Sequence, residues 1–279
     1  MGVQYVWLIS EGDRQMDRAL GATEGKALFS RAVEQALLDE QADLAVHSLK
    51  DLPAVQDPKA KTGLVIAAVP PRADVHDCLI GWDGPIKLDR LQTGATLGTA
   101  SPRRSAQMRR LRPDLNVQLI RGNVQSRLAN VVEHHQYDAT LLAAAGLQRL
   151  GLDQYAADPL DTHTMLPAAG QGALAVQCRG DDHSTIRRCL LLNDATTAMA
   201  VHDERRVVAE LGGDCHSPIA VLIETGSTEV RLKARVLSQD GRQCVEADES
   251  VPLAEADGLV DRALEGLRER GAEAVLRQK

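Results

Sequence analysis

Thr99–Arg127 reads TASPRRSAQMRRLRPDLNVQLIRGNVQSR. Its order is turn, helix, strand, turn, helix. Small polar residues at 99–101 lead into a predicted helix Arg103–Arg112 that stops at Pro113. Val117–Ile120 is a short predicted strand, and Arg121-Gly122-Asn123 opens a second helix, Val124–His135. Val124, Leu128, Val131 and Val132 share one face of that helix. The stretch holds seven arginines, no lysine and a single acid, Asp114, in a chain whose formal charge is −7. Guanidinium is planar and grips carboxylate or phosphate with two parallel hydrogen bonds, which an ammonium cannot do. Arg109, Arg110 and Arg112 read as a solvated helix face. Arg103, Arg104, Arg121 and Arg127 instead stand beside Gly, Ser and Thr at strand-to-helix turns, where backbone N–H groups face an anion. The expectation is a cradle for a polyanion.

The same alternation extends on both sides. Val3–Ile9, Asp43–His47, Leu64–Val69, Cys78–Gly81, Thr96–Gly98, Ala139–Ala143 and Ala173–Cys178 read as strands, and Gly25–Gln41 carries a helical apolar stripe. Alternating strands and helices with short links predict parallel, doubly wound sheets with helices on both faces. In such sheets ligands bind at the carboxyl ends of strands. His47–Asp51, Thr99–Arg104 and Arg121–Arg127 all fall at such ends. Pro70-Pro71 marks a boundary, and Leu166–Gly172 (LPAAGQG) reads as a small-residue return crossing. After a helix at Thr196–Leu211 the character changes. Three strands follow, Ile219–Ile223, Val230–Leu237 and Gln243–Ser250, the last two joined through Asp240-Gly241, and a terminal helix spans Ala254–Leu276. The predicted fold class is α/β: two doubly wound lobes plus a small α+β C-terminal domain with a three-stranded antiparallel sheet. The expected domains are 1–70 with 173–190, then 71–172, then 191–279.

Composition removes several function classes. At 279 residues, 44% apolar and 25% charged, the chain can bury two or three cores. Aromatics make up 2%, too few to give a single-strand nucleic-acid binder its stacking platforms, and the acidic balance disfavours nucleic acid generally. No apolar run approaches the roughly 20 residues a bilayer requires. The N-terminus shows neither a basic region nor a cleavage site of secretory type. Cysteines 78, 178, 189, 215 and 244 are odd in number and lack CxxC spacing, which fits free thiols in a reducing cytoplasm. Gly21–Ala27 (GATEGKA) fails as a phosphate loop on spacing, and no Cys/His set has zinc spacing.

Two further segments could carry chemistry. His47-Ser48-Leu49-Lys50-Asp51-Leu52-Pro53 gathers polar groups at one strand end; Asp51 beside Lys50 is either a general acid/base or a helix-capping acid. Leu211-Gly212-Gly213-Asp214-Cys215-His216-Ser217-Pro218 is a tight loop whose cysteine is either a reactive thiol or an inert loop residue.

Taken together these loops resemble the porphobilinogen deaminase family, also called hydroxymethylbilane synthase. The matching segments are GKALF at 25–29, DLAVHSLKDLP at 43–53, GTASPRR at 98–104, IRGNVQSRL at 120–128, AAAGLQRLG at 143–151, LPAAGQGALAVQCR at 166–179 and LGGDCHSPIAV at 211–221. The resemblance implies two anion-binding-protein-like lobes and a third domain whose loop cysteine, here Cys215, holds one dipyrromethane cofactor per chain through a thioether. It implies a transferase that joins four porphobilinogen units head to tail on that cofactor. Ammonia leaves at each addition, and water releases the linear tetrapyrrole hydroxymethylbilane, an intermediate of heme and other porphyrins. Asp51 matches the catalytic acid, expected to assist loss of the aminomethyl nitrogen and to stabilise the cationic azafulvene on its pyrrole N–H. Ser48, Lys50, Thr99, Ser101, Arg103, Arg104, Arg121, Arg127 and Arg149 match cofactor contacts. Arg121, Arg127 and Arg149, with Lys26 as an added anion contact, are the expected substrate binders.

Neither metal nor nucleic acid nor membrane is expected as a partner, and the resemblance places a monomer in the cytoplasm. The family's opening strand–helix unit, of ATRxSxLAxxQ type, has no counterpart here; a longer reading frame or a truncated chain is expected. Pro102 replaces a residue of the usual SSLRR turn. The competing reading is a non-catalytic anion-binding module or an inactive, truncated remnant of the family, which would need neither Cys215 nor Asp51.

Overall fold

Five consecutive buried residues, Asp77–Gly81, form the strand through which the second half of the architecture is best read. The computed structural model describes residues 2–6, 32–54, 63–214 and 216–278. Strands are numbered β1 Leu44–Ser48, β2 Leu64–Ala68, β3 Asp77–Gly81, β4 Gly84–Pro85, β5 Thr96–Gly98, β6 Asn116–Gln118, β7 Ala139–Ala143, β8 Pro159–Leu160, β9 Leu174–Arg179, β10 Ile219–Thr225, β11 Glu229–Leu237 and β12 Cys244–Pro252. The chain divides into two compact units: Met1–Arg72 with Ala173–Ala198, and Ala73–Gly172 with Met199–Lys279.

In the second unit, side chains of β3 alternate between two cores. Leu79 joins Leu97, Met108, Leu141 and Met165 on one side; Cys78 and Ile80 join Leu128, Leu142 and Leu147 on the other. A strand covered on both faces reads as a continuous apolar run, which is why DCLIG lacks alternation. The helix Pro102–Leu111 supplies Met108 to the first core; helices Val124–Val132 and Ala144–Arg149 supply Leu128 and Leu147 to the second. Strand order is β4-β3-β7-β5-β6, with β8 also on β3. Pairing is parallel only across β6-β5-β7; β3 runs antiparallel to β7, β4 and β8.

The same unit holds the antiparallel sheet β10-β11-β12. Strand β11 alternates exposed or half-buried with buried residues along most of its length, the signature of a sheet covered on one side. Leu259, Val260, Ala263, Leu264 and Leu267 form the apolar stripe of helix Leu259–Glu269. The continuous terminal helix expected from sequence is interrupted. Leu253–Gly258 is a 3-10 segment, and Gly271, at φ 83°, separates Leu259–Glu269 from Ala272–Arg277. A left-handed glycine ends one helix and lets the next begin.

The first unit's described sheet is β1-β9-β2, with β9 antiparallel to both neighbours. Parallel pairing was the expectation; the chain instead re-enters this sheet at Leu174 running against β1 and β2. Leu37, Ala45 and Leu64 pack in one cluster, and Ala67, Ala68, Val176, Cys178 and Cys189 in another. Residues 32–38 are helical, while 2–6 are extended, unpaired with any strand, and exposed, unlike the buried strand expected at Val3–Ile9. The remainder of both predicted elements lies outside the described residues. Among the described residues no helix is long and apolar enough to cross a membrane.

Candidate active site

Because β6, β5 and β7 are parallel neighbours, the segments that leave them emerge at one edge of one sheet. After β5 come Thr99–Arg104, after β6 Arg121–Arg127, and after β7 the helix ending in Arg149. Topology thus places seven of the expected site residues at a single sheet edge.

At the β5 exit the chain stays anchored to its neighbour, the Thr99 N–H donating to the Gln118 carbonyl at 2.9 Å. The Ser101 N–H donates to Thr99 Oγ1 at 3.2 Å. Ser101 is the N-cap of helix Pro102–Leu111, its Oγ accepting from the Arg104 N–H at 3.4 Å. Pro102 occupies the first helical position, where its fixed φ suits the helix and no donor is lost. The unusual proline is therefore accommodated without loss of the turn.

Arg103 and Arg104, 4% and 6% exposed, turn inward. They share the carboxylate of Asp77, which is 0% exposed. Arg104 Nη2 and Nε reach Asp77 Oδ1 at 2.6 and 3.2 Å, and Arg103 Nη2 lies 2.8 Å from Oδ2. Arg104 Nη1 donates to the Leu141 carbonyl and Arg103 Nη1 to that of Leu166. Gln171 Nε2 donates to Asp77 Oδ1 at 3.0 Å and to the Val75 carbonyl at 2.7 Å. Burial pushes the Arg103 guanidinium below its ordinary value, opposed by the Asp77 charge and reinforced by Arg104.

Arg121 is exposed and Arg127 half-buried. Asn123 caps the helix Val124–Val132 by accepting from the Ser126 N–H at 2.8 Å, and Arg127 Nε donates to the Gly122 carbonyl at 2.8 Å. Arg149 Nη2 donates to the Gly172 carbonyl at 2.7 Å, and burial lowers its guanidinium from the usual value. Gly172 has φ 85°, and a Cβ there would overlap the Ala73 carbonyl oxygen and come within 2.8 Å of that of Asp74. Only glycine fits this crossing.

In the first unit, β1 delivers the other expected group. Leu49–Asp51 is a 3-10 turn directly after Ser48, held by the Leu49 N–H to the Ala173 carbonyl at 3.0 Å and the Leu52 N–H to the Leu49 carbonyl at 3.1 Å. Leu49 and Leu52 are buried, so the turn presents Ser48 and Asp51 outward, with Lys50 half-buried. Lys26 and Cys215 lie outside the described residues. The flanks of Cys215 are ordered by Asp214, whose Oδ1 accepts from the His216 N–H at 2.8 Å and the Ser217 hydroxyl at 2.9 Å.

Sequence reasoning missed the buried polar residues behind the site. Asp77, Gln107, Gln171 and Glu204 are each 1% exposed or less. Gln107 accepts from Arg235 Nη1 at 2.7 Å and from the Leu166 N–H at 2.9 Å, tying the helix to β11 and to the 166–172 loop. The available signal was an acid or amide embedded in an apolar or glycine-rich run, as in DCLIG and GQG. Arg109 and Arg112, read as solvated, also have fixed partners: Arg109 Nη1 donates to the Gln239 carbonyl, and Arg112 grips Asp114 and the Leu88 carbonyl. A separate cavity of about 470 Å³, bordered by Trp82, Ile86, Arg90, Leu91, Gly94 and Asp138, lies at the β3 carboxyl end and contains none of the expected residues.

Arginine-rich strand exits on an α/β sheet, followed by a small antiparallel domain, define an anion-binding α/β protein. Residues 1–187 match the family model "Porphobilinogen deaminase, dipyromethane cofactor binding domain", and residues 198–269 match "Porphobilinogen deaminase, C-terminal domain". The porphobilinogen deaminase of Legionella pneumophila (strain Lens) is 40% identical over 277 residues, 99% of this chain and 88% of that protein. That of Sphingopyxis alaskensis is 46% identical over 242 residues, 86% of this chain and 75% of its own length. That of Geobacillus kaustophilus is 42% identical over 270 residues, covering 96% and 85%. The chain belongs to the porphobilinogen deaminase family.

Proposed function

We propose that the sheet-edge arginines and the Ser48–Asp51 turn are the working parts of a hydroxymethylbilane synthase. As a member of this family the chain is a transferase that uses a dipyrromethane cofactor and polymerises porphobilinogen into the linear tetrapyrrole. The observation that supports this assignment of residues is the single sheet edge onto which parallel β6, β5 and β7 deliver Thr99–Arg104, Arg121–Arg127 and Arg149.

The donor set suits the cofactor. Each pyrrole unit of this chemistry carries an acetate and a propionate, and Arg forks bind carboxylates in pairs of hydrogen bonds. The buried trio of Asp77, Arg103 and Arg104 has one carboxylate for two guanidiniums, and Arg103 Nε is buried with no hydrogen-bond partner among the described residues. Both facts leave positive potential beside the N-terminus of helix Pro102–Leu111, itself a favourable place for an anion. Thr99, Ser101, Arg103, Arg104, Arg121, Arg127 and Arg149, with Ser48 and Lys50, would hold the cofactor, and Cys215 would carry its thioether. When bound, the group supplies the pyrrole carbon to which substrate units are joined.

Arg121, Arg127, Arg149 and Lys26 would orient porphobilinogen through its carboxylates. Asp51, exposed on its turn, would accept a hydrogen bond from a pyrrole N–H and move a proton as the amine leaves. Water completes the reaction. In domain terms the reading takes 1–70 with 173–190 as the first lobe, 71–172 as the second and 191–279 as the cofactor-bearing domain. A cytoplasmic monomer acting without nucleic acid belongs to the same reading.

Intact mass tests it. The purified chain should carry, or acquire on exposure to porphobilinogen, a mass increment of two pyrrole units, and Cys215→Ser should abolish it. A wild-type chain that stays unmodified with substrate present would refute the proposal and favour the anion-binding module.

A further inference from the structure

Asp77 is the first residue of β3 and opens an otherwise apolar run. It has 0% exposure and receives three donor groups: the Arg104 guanidinium at Oδ1, Gln171 Nε2 at Oδ1 and Arg103 Nη2 at Oδ2. A buried ion pair built for stability alone balances its charges, and an apolar replacement often does as well. This trio does not balance. One carboxylate faces two guanidiniums whose side chains are 5% and 7% exposed. The excess positive charge sits in the first turn of a helix, where the helix dipole already opposes a cation.

Two like charges held this close separate unless something fixes both. The carbonyls of Leu166 and Leu141 hold the outer nitrogens, at 2.7 and 2.8 Å, but carry no full charge. Only Asp77 offers each guanidinium a counter-charge, and it does so on opposite oxygens of one carboxylate.

We propose that Asp77 is a positioning residue for the Arg103–Arg104 turn: it fixes two guanidiniums side by side while leaving one positive charge uncompensated for a ligand carboxylate. It touches neither substrate nor cofactor and acts through the two arginines. The inference rests on the reading of this edge as the cofactor cradle. It adds that the cradle is set by a carboxylate placed behind it.

The test compares the full-length wild type, Asp77→Asn, Asp77→Glu and Val236→Ala. Val236 is 0% exposed in β11 and serves as a destabilised control away from the turn. Each chain, produced without cofactor, is exposed to porphobilinogen at a temperature where its melting curve shows it folded. The rate of gaining the two-pyrrole mass increment is then read by intact mass. Asp77→Asn should load roughly ten- to a hundredfold more slowly than wild type, the effect of displacing oriented groups by about 1 Å. Asp77→Glu, which restores the charge, should recover part of that loss, and Val236→Ala should load at the wild-type rate. Equal loading by Asp77→Asn and wild type would overturn the inference, as would a Val236→Ala defect that matches Asp77→Asn. An unmodified wild type would instead sink the cofactor reading, and the role of Asp77 with it.

Discussion

Glu204→Gln is a substitution of nearly constant shape whose cost follows from two hydrogen bonds. Glu204 lies in helix Ala195–Glu210 and is 0% exposed. One oxygen accepts from the Gly170 N–H at 2.7 Å and the other from the Ile223 N–H at 2.9 Å. A single carboxylate thereby joins the glycine-rich 166–172 loop to strand β10. Glutamine keeps one acceptor oxygen and turns an NH2 group toward the other backbone donor. One charge-assisted bond is lost, the survivor becomes neutral, and a buried N–H is left facing a donor. Hydrogen bonds to charged groups contribute about 1.5–3 kcal/mol each, and an unsatisfied buried donor costs about 1–3 kcal/mol. Since these overlap, a net loss of about 2–4 kcal/mol is expected. For a unit of this size that is a fall in melting midpoint of about 5–15 °C. Scanning fluorimetry or near-ultraviolet circular dichroism at neutral pH reads it directly. A midpoint within about 2 °C of wild type would show that these two bonds do not couple the loop to β10.

Asp51→Ala should leave the melting midpoint and the cofactor mass increment unchanged, because Asp51 is exposed, while nearly abolishing tetrapyrrole formation; full turnover would remove Asp51 from the chemistry. Cys78 is fully buried, and burial pushes its thiol up to about 12. Cys178 and Cys189 are buried and shifted up for the same reason. Alkylation of the native chain at mild alkaline pH should therefore spare all three until denaturant is added, as peptide mass mapping would reveal; native labelling of Cys78 would contradict the packing. Asp161, Asp182 and Asp194 cap turns and helices through Thr164, Thr185 and Thr197, and these bonds hold their carboxyls below the ordinary 3.8. A depressed folded-state value contributes stability above the unfolded value and loses it as pH falls through the folded one. Melting midpoints should thus be flat from about pH 7 to 5 and drop below about pH 4, with Asp194→Asn showing a shallower drop; an unchanged acid slope in that variant would refute its share.

Elements whose periodicity is local were legible in the sequence. Thr96–Gly98 and Ala139–Ala143 were placed to the residue, and helix Pro102–Leu111 within one residue at either end. Strand direction was not legible, because β9 pairs with β1 and β2 across more than a hundred residues and its own sequence carries no sign of polarity. The break at Gly271 was available as a glycine but hidden inside an apolar pattern that continues on both sides. Loop arginines were recognisable from their turn residues. What sequence could not reveal was which of them point inward. Arg103 and Arg121 have similar neighbours, Ser or Gly and a following helix, yet one is buried against Asp77 and the other is exposed. The difference lies in Asp77, 26 positions before Arg103 and on a strand two places away in the sheet.

That difference divides the basic block by task. A ligand that gains carboxylates as it grows needs some guanidiniums free to move with it and others that keep a fixed origin. Exposed Arg121 and half-buried Arg127 can follow a ligand, since a surface guanidinium gives up little solvation when it reorients. Arg103 and Arg104 cannot: leaving Asp77 would strand a buried carboxylate and two buried cations, a cost of several kcal/mol. The stationary pair sits at the capped first turn of a helix, and that helix is tied through Gln107 to Arg235 of β11. Strand β11 belongs to the sheet that begins just after the Asp214–Ser217 loop. The fixed end of the cradle and the scaffold of the cysteine loop are therefore one hydrogen-bonded body. A covalent anchor and its first carboxylate contact need that arrangement if the anchored end is to stay in register while the other end lengthens.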